Sequence, residues 1–584
     1  MINPFGKVFS DNIIKENKRS RLNATDYDNG PTLYLRLIFL GVLLLFGLGL
    51  LFARMFGVTI IEGDRYRKLS SSNMIKEENI ISPRGIIYDR NKKPLVRNIP
   101  VFKYQNNNLY FEQKPTTVSG EPKESITREY IYGDVTAHVL GYIGEVSTDD
   151  IKERRMLGND FRPGDIIGKE GLEKVYDNIL RGKNGQEMIE VDAAGEEVRV
   201  LGKMEPKSGQ NINISLDIDL QKASYDAIGT NKGAVIVENP KNGEILALYS
   251  SPSYDPNRFI KSDDVSPFFT DQNQPLFNRS IGGEYPPGST FKIVTSLAAL
   301  EKGTINSGTQ IEDTGVLTVG SFSFSNWYFS QYGKKEGMLN IVGATKRSND
   351  IFFYKVGEMT GIESIAKMAK NIGVGSKLGI DLPGEVAGLM PDSDWMKKVK
   401  GENWYTGNTY HVAIGQGDIL TTPLQVNALV NVVANNGKLC QPHLLTSQNP
   451  GIKINKTICR DLGIKKENLE LVKEGMKEAC STGGTGWPLF NFKIQNARLK
   501  IDNQNYFESY ESTTSGKPFI NIPVACKTVT AEFGDQKKTH AWITVFAPIE
   551  NPQISITVLV ESGGEGSTVA GPIAKKILEY WFSK

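Results

Sequence analysis

Two residue types that often build catalytic and metal sites are scarce here: the 584-residue chain holds four histidines and four cysteines. His138, His411, His443 and His540 stand singly, so packing or hydrogen bonding is expected of each rather than metal ligation. Cys440, Cys459, Cys480 and Cys526 all fall late in the chain and match no zinc spacing. They permit disulfides in an oxidising compartment without requiring any. An excess of one charge is also missing. The formal net charge is +2 and no basic low-complexity tract occurs, which argues against a nucleic-acid-binding surface. Hydrophobic content is ordinary for a globular protein, with one run set apart. The length suggests two or three domains rather than one core.

That run is 37–53, which carries no charge and lies between Arg36 and Arg54. It has the minimum length for a bilayer span, about 17–25 residues, and the bracketing arginines can snorkel to the interfaces. A buried soluble helix is disfavoured because the run has no polar face on any side. A cleaved signal peptide is disfavoured because no small-x-small site follows in Arg54-Met-Phe-Gly-Val-Thr59. The expectation is an uncleaved signal anchor over 33–54. Lys15, Lys18, Arg19, Arg21 and Arg36 precede or open it, which predicts a cytoplasmic tail at 1–32 and an extracytoplasmic chain after about residue 55.

Chemistry first appears in Tyr285-Pro-Pro-Gly-Ser-Thr-Phe-Lys292. The apolar run 293–300 predicts a buried helix, bounded in front by Pro286, Pro287 and Gly288. On a helix, Ser289 and Lys292 share a face about 5–6 Å apart at Cβ, within reach of an amine for a hydroxyl. In a first turn, free N–H groups and the helix dipole would favour the serine alkoxide. A serine needs such help to act as a nucleophile. The spacing alone is weak, since a chain of this length carries roughly two chance copies. A second copy, Ser364-Ile-Ala-Lys367, sits in an amphipathic pattern that stops at Gly373 and reads as a solvated helix face.

The downstream company separates the two. Ser348-Asn-Asp350 follows within Lys346-Arg-Ser-Asn-Asp-Ile-Phe-Phe-Tyr354, and Lys527-Thr528 within Val524-Ala-Cys-Lys-Thr-Val-Thr-Ala-Glu532. The order Ser-x-x-Lys, Ser-x-Asn or Asp, Lys-Thr-Gly is the signature of penicillin-recognising serine enzymes. Further patches add to it: Ser82-Pro-Arg-Gly85, Gly168-Lys-Glu-Gly-Leu-Glu173, Gly379-Ile-Asp-Leu-Pro-Gly-Glu385, Ile414-Gly-Gln-Gly417, Thr422-Pro-Leu-Gln425 and His540-Ala-Trp-Ile543. From about residue 33 to the C-terminus the chain resembles the class B penicillin-binding proteins, monofunctional peptidoglycan transpeptidases. Asp350 and the Phe352-Phe353-Tyr354 run lean towards the elongation-type penicillin-binding protein 2 group.

The resemblance implies an α/β (α+β) fold. An elongated mixed pedestal (dimerisation-like) domain would occupy 55–208, and a transpeptidase domain 209–584 with a five-stranded antiparallel sheet between helical layers. The sequence agrees with that layout: an alternating strand begins at Ile212, two apolar runs flank Pro240-Lys-Asn-Gly243 as a hairpin, and late strands and a last helix follow 525. Turns are expected at 105–108 and 116–124, in a pedestal head shorter than the family's.

Roles are implied in the same way. Ser289 would attack a D-alanyl carbonyl of a peptidoglycan stem peptide, or a β-lactam. Lys292 would take its proton, with Lys527 as the second cation that lowers the Lys292 pKa. Ser348 would shuttle the proton to the leaving nitrogen, Thr528 would hold the substrate carboxylate, and backbone N–H groups of Ser289 and Thr530 would form the oxyanion hole. No metal and no organic cofactor is implied, and the implied partner is a polytopic glycan polymerase in the same membrane.

Two departures stand out. Asp350 replaces the commoner Asn and should pair with Lys292 or Lys527; an out-of-step alternative would place Asn349 there instead. Val529 replaces the third-position Gly and is expected to stand beside the cleft, narrowing it so that the site acylates slowly, prefers an altered substrate or resists β-lactams. These departures leave two other readings open: a weak or inactive scaffold that activates the glycan polymerase, and a penicillin sensor or β-lactamase.

Overall fold

The computed structural model describes residues 31–103, 109–111, 123–156, 161, 164–192, 197–261, 263–447, 449, 459–495, 519–534 and 538–584. The basic residues 15–21 and the turn expected at 105–108 lie outside them, as does most of 116–124; Lys123 and Glu124 open a strand, Lys123–Tyr130. Internal contacts divide the chain into two compact units, 1–78 with 187–203, and 79–186 with 204–584. The division falls inside the 55–208 segment rather than at its ends.

In the first unit a helix, Pro31–Phe56, runs on through the wider turn Gly57–Ile61. Its stretch Tyr34–Ile61 reaches a mean hydropathy of 2.5 over 18 residues and is not buried, long and apolar enough to cross a membrane. It outruns 37–53 because apolar side chains continue on both sides of Arg36 and Arg54. The helix Gly63–Asn73 follows, and strand Ile75–Ile80 begins a three-stranded sheet with Gly185–Val191 in the centre and Glu197–Met204 outside.

The second unit joins the sequence patches physically. The buried Glu173 carboxylate takes Arg84 Nη2 at 2.7 Å and Arg128 Nε at 2.7 Å, and Arg84 Nη1 reaches Asp177 at 3.0 Å. The Ser82-Pro-Arg-Gly and Gly-Leu-Glu patches therefore meet in one buried ion cluster, where losing one partner would strand a charge. A two-residue parallel ladder pairs Ile87–Tyr88 with Ile212–Asn213.

The large sheet has five strands, all antiparallel, in the order Glu244–Ser251, Gly233–Asn239, Ile554–Val560, Lys538–Ala547, Ala525–Phe533. Its strands are apolar on both faces, as a sheet covered on both sides requires. Helices Ile218–Ile228 and Ala570–Ser583 share one apolar core with the sheet. Lys292–Lys302, Asp350–Thr360, Ile362–Ile372, Pro423–Ala434 and Lys466–Ala479 build the other. Pro423–Ala434 starts with Thr422 and Gln425 in a reciprocal capping box and Pro at the first position. The four cysteines pair as Cys440–Cys459 and Cys480–Cys526.

Candidate active site

The nucleophile candidate is not in an α-helix. Ser289 sits in a single 3₁₀ turn, Gly288–Thr290, and the helix begins at Lys292. The turn is held by backbone on one side and a side chain on the other. Gly288 has φ +49°, its N–H donates to the Gly415 carbonyl at 2.8 Å, and an added Cβ would lie 2.4 Å from Val529 Cγ1. Gly415, at φ +75°, lies so close that its own Cβ would fall 2.1 Å from the Gly288 carbonyl oxygen. Only glycine fits either place. Ser289 is half-buried while Gly288, Thr290 and Phe291 are buried, so the turn presents the serine alone to solvent.

Lys292 begins the helix with its side chain fully enclosed. Its Nζ donates to Asp350 Oδ1 at 2.7 Å, the Ser348 carbonyl at 2.8 Å and Ser348 Oγ at 3.3 Å. Lys527, 0% exposed, donates from Nζ to the same Ser348 Oγ at 2.8 Å and to the Thr528 carbonyl at 3.0 Å. Both lone pairs of the Ser348 hydroxyl thus receive an amine, which leaves its proton free to be given away. Ser348 is itself strained, at φ +55° and ψ 38° as the left-handed cap of helix Ile341–Arg347. A non-glycine residue held there marks a place where the surroundings over-determine the backbone.

Asp350 rather than Asn349 reaches the lysine. Asn349 is buried and caps the next helix, accepting from Phe352 N–H at 2.9 Å, while its Nδ2 donates to Glu336. Asp350 is fixed from behind by Trp327 N–H to Oδ2 at 3.0 Å and by its own N–H on Asn326 Oδ1 at 3.1 Å.

Two amines and one carboxylate in a dry site cannot hold both protons easily. Burial pushes the Lys292 pKa down, and Asp350 partly restores it. Lys527 goes further down, through burial first and then the Lys292 charge. The carboxylate bonds Lys292 directly, so the resting proton belongs on Lys292 and Lys527 is the amine most easily left neutral. The resemblance cast Lys527 as the second cation that lowers the Lys292 pKa, and the carboxylate that bears on this pair bonds Lys292.

The strand Ala525–Phe533 is an edge of the sheet. Gln416, with its amide oriented to satisfy both groups, donates to the Glu532 carbonyl at 3.2 Å and accepts from Glu532 N–H at 3.1 Å. The ladder to Lys538–Ala547 has no bulge, so alternation turns the N–H and C=O of Thr528 and Thr530 to the same open edge. The Thr530 side chain is exposed. Thr528 is buried and donates to Thr485 Oγ1 at 2.7 Å.

Val529 corrects an expectation. Its side chain is 3% exposed and packs with Tyr285, Val426, Ala531, Trp542 and Leu559, under the serine turn instead of in the cleft. Strand alternation puts it on the Lys527 face, and Gly288 leaves it room. Trp327, Gln416 and Thr485 were not anticipated as contacts of the site. Gln416 lies in a quoted patch, but nothing in its spacing points to a strand edge 116 residues on.

Comparison with known proteins bears on this geometry. The penicillin binding protein transpeptidase domain family matches residues 233–579, and the penicillin-binding protein dimerisation domain family matches 105–214. The peptidoglycan D,D-transpeptidase MrdA of Salmonella typhimurium is 31% identical, with 95% of this chain and 97% of that protein covered. MrdA of Escherichia coli is 30% identical with 95% of each covered. A Helicobacter pylori structure, a complex between Penicillin-Binding Protein (PBP2) and MreC, superposes with a TM-score of 0.69 at 30% identity, over 87% of this chain and 99% of that one. PBP2 of Pseudomonas aeruginosa in complex with WCK 5153 gives 0.67 at 27% identity, over 87% and 96%. With the transpeptidase domain family matching 233–579 and relatives 30% and 31% identical over 95% of its length, the chain belongs to the penicillin-binding protein transpeptidase family.

Proposed function

We propose that this chain is a membrane-anchored peptidoglycan D,D-transpeptidase that works through a Ser289 acyl-enzyme. The observation that carries the reading is the Ser348 hydroxyl held by both Lys292 Nζ and Lys527 Nζ. Lys292 gives its resting proton through Ser348 Oγ towards Lys527 and becomes a free amine. It then takes the Ser289 proton as Oγ bonds to the penultimate D-Ala carbonyl carbon of a stem peptide. The Ser348 proton goes to the leaving nitrogen as the C–N bond breaks, and Lys292 passes the Ser289 proton on to Ser348, releasing the terminal D-Ala. An amine of a second stem, or water in the carboxypeptidase side reaction, attacks the ester and returns Ser289. The N–H groups of Ser289 and Thr530 hold the oxyanion, each worth about 3–4 kcal/mol in such sites. Thr528 holds the terminal carboxylate. A β-lactam enters as a strained amide whose leaving nitrogen stays attached, so the acyl-enzyme persists.

The remaining assignments are proposals of the same standing. The pedestal occupies 55–208 and the transpeptidase domain 209–584, near the edges of the two family matches at 214 and 233. The apolar helix spans the plasma membrane once with the catalytic unit on the outer face, supported by the basic residues before it. One relative's structure is a complex with MreC, and another comes from a peptidoglycan synthase complex that coordinates polymerization and crosslinking. For this chain a membrane glycan polymerase is the partner, with an elongation role.

The test is covalent trapping. Incubation of the membrane protein with a penicillin should add one penicilloyl group, recovered by mass spectrometry on the peptide that contains Ser289 and absent from Ser289→Ala. An adduct elsewhere, or full cross-linking by Ser289→Ala, sinks the reading.

A further inference from the structure

The segment Cys480–Gly486 follows helix Lys466–Ala479 and takes no part in the acyl-transfer scheme above. It is nonetheless built tightly against the strand that carries Lys527. The Cys480–Cys526 disulfide ties its first residue to the residue before Lys527. Gly486 N–H donates to the Ala479 carbonyl at 2.8 Å, and a Cβ on Gly486 would lie 2.4 Å from Cys526 Sγ, so the segment closes back on the disulfide with no room to spare. Arg347, next to Ser348, donates from Nη1 to the Gly483 carbonyl at 2.7 Å. Lys346 pairs with Glu478 at 2.7 Å, and Ser481 Oγ donates to the same residue's carbonyl at 2.8 Å. Anchored at both ends and in the middle, the segment delivers one hydroxyl to the site: Thr485 Oγ1, 2.7 Å from Thr528 Oγ1.

We propose that Thr485 is a positioning residue that sets the direction of the Thr528 hydroxyl for a ligand's free carboxylate. This rests on the reading of Thr528 as the carboxylate-binding group. A hydroxyl has one proton. In the resting pair Thr528 donates to Thr485, so it cannot also donate to a ligand. When a carboxylate arrives the pair must reverse: Thr485 donates to Thr528, and Thr528 donates to the carboxylate. The two hydroxyls then form a polarised chain ending on a negative charge, in which each bond strengthens the next. Valine at 485 would keep the shape and remove the upstream donor. Serine would keep the donor.

The discriminating probe is a ligand with and without that charge. Second-order acylation rates are measured for wild type, Thr485→Val, Thr485→Ser and Thr528→Val, with benzylpenicillin and with its methyl ester. The expected result is that Thr485→Val slows the acid about five- to tenfold, the worth of one hydrogen bond, and leaves the ester rate within about twofold of wild type. Thr485→Ser should restore the acid rate. If Thr485→Val slows acid and ester alike, the residue is only structural and the proposal falls. If Thr528→Val separates acid from ester but Thr485→Val does not, the proposal falls while the Thr528 reading stands. If neither variant separates them, the Thr528 reading falls and takes the proposal with it.

Discussion

At the scale of single residues, the proton arithmetic of three side chains decides the chemistry. Asp350 raises the Lys292 pKa against the pull of burial. Removing its charge therefore lowers that pKa, and a base with a lower pKa stays deprotonated to lower pH. Asp350→Asn should shift the acid limb of the acylation pH profile to lower pH, with an unchanged or basic-shifted limb as the contrary result. Val529 supports a different expectation from the one its sequence position suggested. Buried beneath the serine turn, it contributes packing, so Val529→Gly should cost about 3 kcal/mol of stability through the lost side chain and added backbone freedom. Thermal unfolding checks the loss, and acylation should not quicken. The residue types of the site were legible in the sequence, because Ser-x-x-Lys, Ser-x-Asp and Lys-Thr are short and ordered. Side-chain direction was not legible at Val529, since alternation along a strand gives two faces without saying which faces the cleft.

At the scale of elements, the site is a set of boundaries. Ser289 lies in a 3₁₀ turn before its helix, Ser348 lies between two helices, and Lys527 lies near the start of an edge strand. Such places are the least readable from sequence, because the last turn before or after a helix depends on what packs there. Helix interiors were readable: Ile362–Ile372 forms with Gly373 as its left-handed stop and Lys367 exposed, as its amphipathic pattern predicts. The serine turn was not, since its shape depends on Gly415 pressing on Gly288 from a segment far along the chain. Gly415→Ala would force these backbones apart and shift Ser289 from its place. A misplacement of about 1 Å costs on the order of a hundredfold in rate, so acylation should fall by at least about tenfold. Wild-type acylation in this variant would show that the contact does not hold the serine. The Cys480–Cys526 pairing was likewise beyond the sequence, whose spacings permit disulfides without requiring any.

At the scale of the whole molecule, the five-stranded sheet joins segments more than 300 residues apart in the chain, Gly233 pairing with Val560. Within it Glu238, on the strand Gly233–Asn239, is buried, accepts from Asn427 at 2.8 Å, and has its pKa raised by burial from 4.5 to about 8. A raised carboxyl pKa means the folded state binds the proton more tightly. This contribution is fully present below the ordinary carboxyl range and is lost as pH rises through about 8. Glu238→Gln should therefore flatten the pH dependence and raise the melting temperature most on the alkaline side. A parallel fall with pH in both proteins would remove Glu238 as the cause. The five-stranded antiparallel sheet was legible as a class, through the resemblance and the hairpin around Pro240. Its strand order was not, because nothing local specifies that Ile554–Val560 lies between Gly233–Asn239 and Lys538–Ala547. That order has a temporal consequence. The strand in the middle is the last of the five to be made, so a chain still being synthesised has its hairpin and its lysine strand without the strand that joins them. A product ending before residue 554 should fail to retain labelled penicillin although it contains Ser289, Lys292, Ser348 and Lys527. By that order the nucleophile is made well before the strand that completes its sheet, and it is expected to gain its acylating power only with that last strand.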